Sequence, residues 1–314
     1  MNVTLHHYEC SDDFSRIGQF LIDTYQPGIY HDNWLQPRWE YMHFHPDLKV
    51  SSLNTIGIWE SDDRIVGVAH YELDPGEVFF QVHPGFGYLK MEMLDYAEKY
   101  LSVENNDTSG IFSHILKDTA SPSRKKMAVW VNDFDTEFES IVMSRGYQLV
   151  EGIKDCWSLF EIPDPFPAVK LPAGFKIQSL TDEDDLSKLA RLIYRGFNHP
   201  GEPPADAVQG TAMMQSAPNY RKDLNIVAAS RNGTYAAYGG IWQDYRNKIA
   251  YIEPVCTDPD FRRMGLGTAV VLEGIRRCGV EGIKLAMVGS AQPFYLSMGF
   301  KKLLDIKLWT KQFI

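Results

Sequence analysis

The sequence predicts a mixed α/β (α+β) protein built from two similar units, and three observations support this fold class. The 314 residues suffice for about two domains at a typical size of roughly 150 residues. Residues 161–174 lie near the middle and hold four prolines, which exclude a helix or a central strand and indicate a linker. The predicted strands and helices follow one another in the same order on either side of it.

The first half alternates strand-type and helix-type hydrophobic patterns. They predict strands over residues 64–71, 77–82 and 126–131, and helices over residues 88–101 and 136–144. Gly146 ends the second of these helices, because a glycine readily adopts the left-handed conformation at a helix end. The chain is then expected to form a final hairpin through Cys156 to Phe160.

The second half repeats this order and begins with a helix over Asp182–Gly196, capped by Thr181 or Asp182. An Asn-Gly turn at residues 232–233 indicates a hairpin. The remaining predicted elements are strands over 226–230, 235–243, 249–257 and 283–288, and helices over 268–278 and 293–297.

Composition and charge exclude several classes of function. The chain has 31 Lys and Arg against 41 Asp and Glu, a net charge of -10, which disfavours nucleic-acid binding and would attract a cationic substrate. There is no long apolar run and the first residues are polar, so we expect no membrane partner and a cytoplasmic location. The four cysteines are far apart and form no Cys-x-x-Cys pair, so no metal site is expected.

The loop after the strand over residues 249–257 carries the most chemical information. A turn at Asp258-Pro259 leads to Gly265 and Gly267, which open a helix. Unpaired amides and the helix dipole make such an opening a site for anions, and the missing Cβ atoms allow a close approach. Together with the positive charge of residues 262–263, this predicts a phosphate-bearing cofactor. Neither the P-loop pattern nor the Rossmann pattern is completed here.

Residues 262–267, Arg-Arg-Met-Gly-Leu-Gly, resemble the acetyl-CoA pyrophosphate loop of the GCN5-related N-acetyltransferase (GNAT) superfamily. Residues 294–300, Phe-Tyr-Leu-Ser-Met-Gly-Phe, resemble the Tyr-x-x-x-Gly-Phe segment that follows in that family. The resemblance covers residues 175–310 and, in degenerate form, the first half. It implies two tandem GNAT-like domains, each a mostly antiparallel twisted sheet with helices on both faces. These would be a noncatalytic domain over 1–160, the linker over 161–174 and an acetyltransferase domain over 175–314.

The resemblance also implies which residues hold acetyl-CoA, the expected cosubstrate. In the family one strand carries a bulge and parts from the next, which accounts for Pro254 inside a strand. The pantetheine arm pairs there with strand backbone, and the glycine loop surrounds the pyrophosphate. By similarity, the contacting residues are Val255, Cys256 and Thr257 for pantetheine, and Arg262, Arg263, Met264, Gly265, Leu266, Gly267 and Thr268 for pyrophosphate. Ser290 or Gln292 either replaces a family asparagine that contacts pantetheine or caps the next helix.

The implied reaction is direct attack of a neutral amine on the acetyl thioester. Tyr295 stands at the family position of the general acid, and Glu253 is the candidate base, with a water chain as the alternative. Strand alternation is expected to place Glu253 on one face with Tyr251, Val255 and Thr257. No metal takes part in this scheme.

The first half is predicted to keep the fold without catalysis. Aligning the two halves places Val78 opposite Glu253 and Val142 opposite Tyr295, so both proton carriers are aliphatic there. Its loop over residues 84–89 is shorter and lacks the arginine pair. We expect this half to wall the acceptor pocket of the second half.

The acceptor is expected to be a small-molecule primary amine bound by a monomer or a homodimer. The segment over residues 25–46 is rich in aromatic residues, which form core or line a pocket for a cationic or aromatic amine. Its residues of interest are Tyr30, His31, Trp34, Trp39, Tyr41, His43 and His45. Two alternatives stay open: a noncatalytic acyl-CoA-binding regulatory module, and a tandem synthase that resembles mycothiol synthase and acetylates a sugar-linked cysteine amine.

Overall fold

The computed structural model describes residues 2–9, 11–26, 33–115 and 125–313. By their contacts they divide into two units, the first comprising Met1–Met42, Asp47–Cys156 and Leu303–Ile314, and the second comprising His43–Pro46 and Trp157–Lys302. This division differs from the boundaries expected at residues 160 and 175. The reason is that the end of the chain pairs within the first unit and residues 158–161 pair within the second.

The first unit contains a sheet with strand order β1-β2-β3-β4-β6-β13, in which only the β4/β6 pair is parallel. A short strand, β5, also pairs with β6. In chain order the elements are β1 (Val3–His7), α1 (Ser11–Thr24), α2 (Gln36–His43), β2 (Gly57–Ser61), β3 (Arg64–Tyr71), β4 (Glu77–Val82), α3 (Lys90–Tyr100), β5 (Val103–Glu104), α4 (Phe112–Ile115), β6 (Lys125–Asn132), α5 (Thr136–Ser144) and β7 (Gln148–Glu161), with β13 (Lys301–Phe313) from the chain end.

Local sequence determines several of these elements. The helix α5 has its predicted bounds, because the Asp135 side chain accepts a hydrogen bond from the Phe138 amide at its start (3.1 Å) and Gly146 follows its end with a φ of 84°. The predicted strands over 64–71 and 77–82 are confirmed as β3 and β4. The predicted final hairpin is wrong: residues 148–161 form the single strand β7.

The second unit contains a sheet with strand order β7-β12-β11-β10-β9-β8, in which only the β11/β12 pair is parallel. The mostly antiparallel sheets confirm the predicted fold class. In chain order the elements after β7 are β8 (Phe175–Ser179), α6 (Leu186–Gly196), α7 (Ala207–Gln215), β9 (Ile226–Ser230), β10 (Tyr235–Asp244), β11 (Ile249–Thr257), α8 (Leu266–Val280), β12 (Leu285–Val288) and α9 (Pro293–Ser297).

Helices pack on both faces of the second sheet. On one face, Leu189 and Leu192 of α6 contact a buried cluster that includes Tyr238 and Cys256. On the other face, side chains of α8 such as Val271 pack in a separate cluster with β10, β11 and β12. The two clusters bury opposite sides of the same strands, which stabilises the sheet as a layer between helices.

The start of α6 differs from its prediction. The helix begins at Leu186, and its cap is Asp185, whose side chain accepts from the amides of Ser187 (3.1 Å) and Lys188 (3.0 Å). Asp182 instead accepts hydrogen bonds from the amide and the hydroxyl of Ser179. Four acidic residues follow Thr181, and propensity alone does not choose among them. Residues 162–174 form no helix or strand, as their prolines predicted.

Candidate functional site

The parallel strands β11 and β12 part from each other after three paired residues. Ile249–Tyr251 pair with Leu285–Met287, whereas β11 continues to Thr257. Among the residues that the structure describes, no strand pairs with residues 252–257 on the side of β12. Backbone donors and acceptors of β11 therefore border a gap in the sheet, and a chain with its own amides can pair with them.

A bulge in β11 lies at the start of this gap. Gly239 pairs with Val255 and Ile241 pairs with Ile252, so two residues, Glu253 and Pro254, lie opposite the single residue between them in β10. That residue is a glycine, and a Cβ atom on it would lie 2.7 Å from the Glu253 carbonyl oxygen. The indole Nε1 of Trp242 donates to the same oxygen over 2.8 Å. The peptide bond before Pro254 is cis.

The bulge overturns the expected alternation along β11. Val255 packs in the same cluster as Ile252, and the Thr257 hydroxyl lies beside α8, whereas Cys256 packs on the α6 side. Tyr251, next to Ile252, therefore lies on the face opposite Val255 and Thr257. The expectation of one shared face is wrong because an extra residue reverses the side-chain alternation beyond it.

The register also decides which backbone groups face the gap. The Asp258 amide donates to the Ala236 carbonyl (3.0 Å), and antiparallel pairs alternate, so Cys256 pairs its backbone with Tyr238. The backbone groups of Val255 and Thr257 point into the gap instead. The expectation that Cys256 offers its backbone to a cofactor disagrees with this register. Its buried thiol contacts the Leu192 carbonyl at 3.8 Å.

A buried carboxylate fixes the turn after β11. Asp258 is 1% exposed and accepts two hydrogen bonds from the Arg195 guanidinium, at 2.7 and 3.0 Å. Burial alone would raise the pKa of Asp258, but its hydrogen bonds, chiefly from Arg195, hold the pKa below its ordinary value. Arg195 also binds Asp260 at 2.8 Å. The end of α6 is thereby tied to the loop that leads to α8.

The two loop arginines have different surroundings. Arg262 donates to the carbonyls of Thr257 (3.2 Å) and Gly196 (2.9 Å) and to Oδ1 of Asn198 (2.7 Å). Its hydrogen bonds therefore hold the loop to α6. Arg263 has a left-handed backbone (φ 61°) and an exposed side chain, and it makes no hydrogen bond or ion pair with the rest of the described chain. Its charge is thus available to an anion.

The loop ends at the N-terminus of α8, the 15-residue helix over Leu266–Val280. Gly265 caps it with a φ of 80°, and no side chain caps the first amides. A Cβ on Gly267 would lie 3.1 Å from the Thr257 hydroxyl and 3.3 Å from the Phe294 ring. Met264 is exposed, Leu266 is buried and Thr268 is half-buried. Small residues thus leave a cationic helix end open beside β11.

Tyr295 and Glu253 interact electrostatically in the folded chain. Tyr295 lies in the short helix α9, and its ring is 9% exposed and packs edge-on against Phe300 at 5.7 Å. Burial raises the pKa of Tyr295 strongly, and the Glu253 carboxylate raises it further. The phenol is therefore protonated at neutral pH. Its hydroxyl forms no hydrogen bond with any described residue.

Ser290 and Gln292 act in the turn before α9. The Ser290 hydroxyl accepts from the Gln292 amide (3.3 Å), and the Gln292 carbonyl accepts from the Tyr295 amide (2.9 Å). The Gln292 side chain is exposed and makes no capping hydrogen bond. The two predicted roles were contact with pantetheine and a role at the start of the next helix. These contacts favour the second role, because they stabilise the turn that leads into the helix that carries Tyr295.

The first unit also parts its parallel strands, but there a side chain fills the edge. The pair β4/β6 is limited to Glu77 and Val78, while β4 continues to Val82. The His83 amide donates to the Val66 carbonyl, so the backbone groups of Val82 face away from β3. Asn33 takes both of them: its Oδ1 accepts from the Val82 amide (2.6 Å), and its Nδ2 donates to the Val82 carbonyl (3.1 Å).

Two further contacts in the first unit escape sequence reasoning. Lys90, the first residue of α3, is buried and forms an ion pair with Asp135. Glu77, one residue before the aligned Val78, accepts from the Trp130 indole over 2.7 Å, and burial raises its pKa to about 7. The partners in these two contacts are 45 and 53 positions apart in the sequence, so local sequence patterns cannot predict them.

The remaining predictions concern the aromatic segment, a metal site and a membrane-spanning helix. In the aromatic segment, Trp34 and Trp39 are buried in the first core, whereas Tyr30 and His31 lie outside the described residues. No group of three or more metal-ligating side chains occurs in the described part of the chain. Within the same ranges, no helix is both long enough and apolar enough to span a bilayer.

Comparison with known proteins agrees with the second unit. Residues 188–300 match the acetyltransferase (GNAT) family model. Within that segment the chain is similar in sequence to GNAT acetyltransferases. This confirms the predicted resemblance, and the matched GNAT segment includes β11, α8 and α9. No curated protein sequence matches the chain.

Solved structures match this chain over nearly its whole length. A GCN5-related N-acetyltransferase from Sphaerobacter thermophilus is 16% identical and covers 99% of this chain and 95% of its own, with a TM-score of 0.62. A tandem GNAT protein from the clavulanic acid biosynthesis pathway is 15% identical, with coverages of 99% and 98% and the same TM-score. Saccharomyces cerevisiae N-myristoyltransferase with bound myristoyl-CoA is 9% identical, with coverages of 98% and 78% and a TM-score of 0.56. At these identities the matches show the fold alone.

Proposed function

We propose that the protein is an acetyl-CoA-dependent N-acetyltransferase that moves an acetyl group to a primary amine of a small molecule. One observation carries this proposal: β11 parts from β12 beside the glycine-led N-terminus of α8, and Tyr295, which packs in one cluster with Val255 of β11, interacts electrostatically with Glu253. The GNAT family model covers the same residues. The proposed active site lies in the second unit only.

The residues that border the gap fit acetyl-CoA. The backbone groups of Val255 and the amide of Thr257 can pair with a pantetheine arm, whereas the Thr257 carbonyl already accepts from Arg262. The first amides of α8 and the Arg263 side chain suit a pyrophosphate, while Arg262 keeps the loop in place. Acetyl-CoA supplies the activated acetyl thioester when it is bound. Backbone and side-chain groups of this chain bind the cofactor and move the protons.

Glu253 and Tyr295 are the two side chains proposed for proton transfer. An amine attacks only when neutral, so Glu253, or a water bound to it, accepts the proton that the amine loses. Tyr295 remains protonated because burial raises its pKa, and its hydroxyl can donate to the departing sulfur. A tyrosine is ordinarily a weaker acid than a thiol, with pKa values of about 10 and 8.5. Tyr295 therefore contributes through a well-directed hydrogen bond to the sulfur, and its acidity contributes little.

The acceptor is proposed to be cationic in its resting form. The chain carries a net charge of -10, which raises the local concentration of cations around it. A protonated amine is attracted as a cation and then loses its proton near Glu253. We further propose a cytoplasmic enzyme that is a monomer or a homodimer.

Isothermal titration calorimetry with CoA and acetyl-CoA tests the cofactor site. We expect one site per chain with micromolar affinity, and absence of binding would overturn the proposal. A panel of aliphatic, aromatic and polycationic amines, followed by thiol detection, tests the reaction. Tight binding without CoA release from any amine would instead support the noncatalytic acyl-CoA-binding module.

A further inference from the structure

A tryptophan side chain holds the backbone of Glu253, the candidate base. The indole Nε1 of Trp242 donates to the Glu253 carbonyl oxygen over 2.8 Å, and Trp242 is only 2% exposed. In a regular antiparallel pair, a strand carbonyl accepts from an amide of the neighbouring strand. The bulge interrupts this register at Glu253, and the indole supplies a donor at the interruption.

The Glu253 carbonyl lies on the α6 side of the sheet. A Cβ atom on Gly240 would come within 2.7 Å of this oxygen and within 3.0 Å of Cδ of Pro254. Tyr238 packs in the cluster with α6, and alternate residues of a strand share a face, so Gly240 and Trp242 face α6 as well. The oxygen is therefore turned out of the plane of the sheet toward the indole.

Aromatic neighbours fix the Trp242 ring. The Tyr220 ring packs edge-on against it, with the ring centres 5.5 Å apart. Trp242 also pairs across the strands with Tyr251, whose ring lies 5.8 Å from that of Trp157. A buried ring with close neighbours has few alternative rotamers. The indole donor is thus a fixed point for the Glu253 peptide.

The Glu253 backbone determines where the carboxylate lies. This carboxylate acts on the other catalytic candidate: burial raises the pKa of Tyr295, and the charge of Glu253 raises it further. Beyond the bulge, Val255 and Thr257 keep their own pairs with β10. A change at Trp242 is therefore expected to move Glu253 and to leave the proposed cofactor edge in place.

We propose that Trp242 is a positioning residue that directs the Glu253 carboxylate by holding the Glu253 carbonyl. Its N–H fixes the peptide from which the base extends. A base that must reach the proton of an attacking amine tolerates little displacement. This inference rests on the proposed function, in which Glu253, or a water bound to it, accepts that proton.

The kinetic test is Trp242→Phe, which keeps a ring and removes the N–H. We expect kcat to fall about ten- to hundredfold, because a misplaced catalytic group loses that order of rate. The KM for acetyl-CoA should not change. In a Glu253→Gln background the same substitution should leave kcat nearly unchanged, because the group that Trp242 positions is already disabled.

Trp130→Phe is the matched control, because this indole of the first unit donates to Glu77 over 2.7 Å. It loses an equivalent hydrogen bond and should leave kcat unchanged; an equal fall of kcat in both variants would contradict the proposal. So would an equal loss from Trp242→Phe in the wild-type and Glu253→Gln backgrounds, because a purely structural role lowers kcat in both.

Gly240→Ala displaces the same oxygen and keeps the Trp242 ring. The added methyl group would lie 2.7 Å from the Glu253 carbonyl, so the peptide must shift. We expect a fall of kcat that again disappears in the Glu253→Gln background. Unchanged kcat in Gly240→Ala would overturn the proposal, even if Trp242→Phe failed to fold.

A second readout does not depend on turnover. In protein labelled with 13C at tyrosine Cζ, the Tyr295 signal is assigned by its loss in Tyr295→Phe. Glu253→Gln should shift this signal, and Trp242→Phe should shift it only while Glu253 is present; an unshifted signal in Trp242→Phe would contradict the proposal. If no amine is acetylated, the proposed function fails, while the spectrum still decides whether Trp242 positions Glu253.

Discussion

In both units the parallel strands part after two or three paired residues, and the units differ in what occupies the exposed edge. In the first unit the amide group of Asn33 takes both backbone groups of Val82. In the second unit the corresponding edge, at Val255 and Thr257, faces a gap beside the open start of α8. The same strand arrangement therefore forms packed core in one unit and the proposed cofactor site in the other, depending on whether a side chain pairs with the exposed backbone groups.

The helix that follows each edge shows the same contrast. The helix α3 begins with Lys90, whose charge is neutralised by Asp135 within the protein. The helix α8 begins after Gly265, with Arg263 exposed just ahead of it. At the start of α8 an anion finds an exposed positive charge beside the first amides, whereas the charge at the start of α3 is already paired.

The largest expected effect is a loss of turnover when the Tyr295 hydroxyl of the second unit is removed. Tyr295→Phe should lower kcat about 100-fold or more, because a positioned proton donor contributes that order of rate. Affinity for CoA should stay within about twofold, since only the hydroxyl is lost. Steady-state kinetics and calorimetry measure the two quantities. Tyr245→Phe, at an exposed tyrosine of the same unit, is the control; unchanged turnover in Tyr295→Phe would remove Tyr295 from the mechanism.

The next effect comes from filling the proposed cofactor site, as the Asn33 side chain fills the edge of β4 in the first unit. In Gly267→Val the added side chain collides with Thr257 and Phe294, whose atoms lie 3.1 and 3.3 Å from the point that a Cβ atom would occupy. We expect CoA affinity to fall about 100-fold, or about 2.7 kcal/mol. Gly87→Ala in the first unit is the matched control, because a Cβ there meets nothing within 4 Å. Calorimetry that shows equal losses in both variants would contradict a single site.

The converse change opens the edge of the first unit. Asn33→Ala leaves the Val82 amide and carbonyl without their partner, and we expect a loss of about 2 kcal/mol in the free energy of unfolding, measured in urea. CoA should still bind at one site per chain, because the first unit lacks the free helix start. Binding of a second CoA in Asn33→Ala would show that this side chain alone separates the two units.

Sequence reasoning succeeded where the chemistry is local. The loop over residues 262–267, the strand β11 and the helix α9 carry their signals within a few residues, and the structure has both elements at their predicted bounds. The face of Val255 was predicted wrongly because a bulge is set by the partner strand, here by Gly240.

Long-range contacts account for what the sequence did not show. Asn33 and Val82 are 49 positions apart, and nothing near either residue signals their pairing. The last strand of the chain, β13, belongs to the first unit for the same reason. It pairs with β6, which lies more than 170 residues earlier in the sequence. Helical and strand periodicity report burial of a face and carry no information about its partner.

The smallest expected effect separates the two arginines of the loop. Arg263→Ala should weaken CoA binding about tenfold, or about 1.4 kcal/mol, and added salt should reduce the difference, because an exposed charge is screened. The melting temperature should not change, since Arg263 makes no hydrogen bond with another described residue. Arg262→Ala should instead lower the melting temperature, because it loses contacts to Thr257, Gly196 and Asn198. If Arg263→Ala destabilises the fold and Arg262→Ala affects only binding, the roles are reversed, and the positive charge that distinguishes the second unit from the first comes from Arg262.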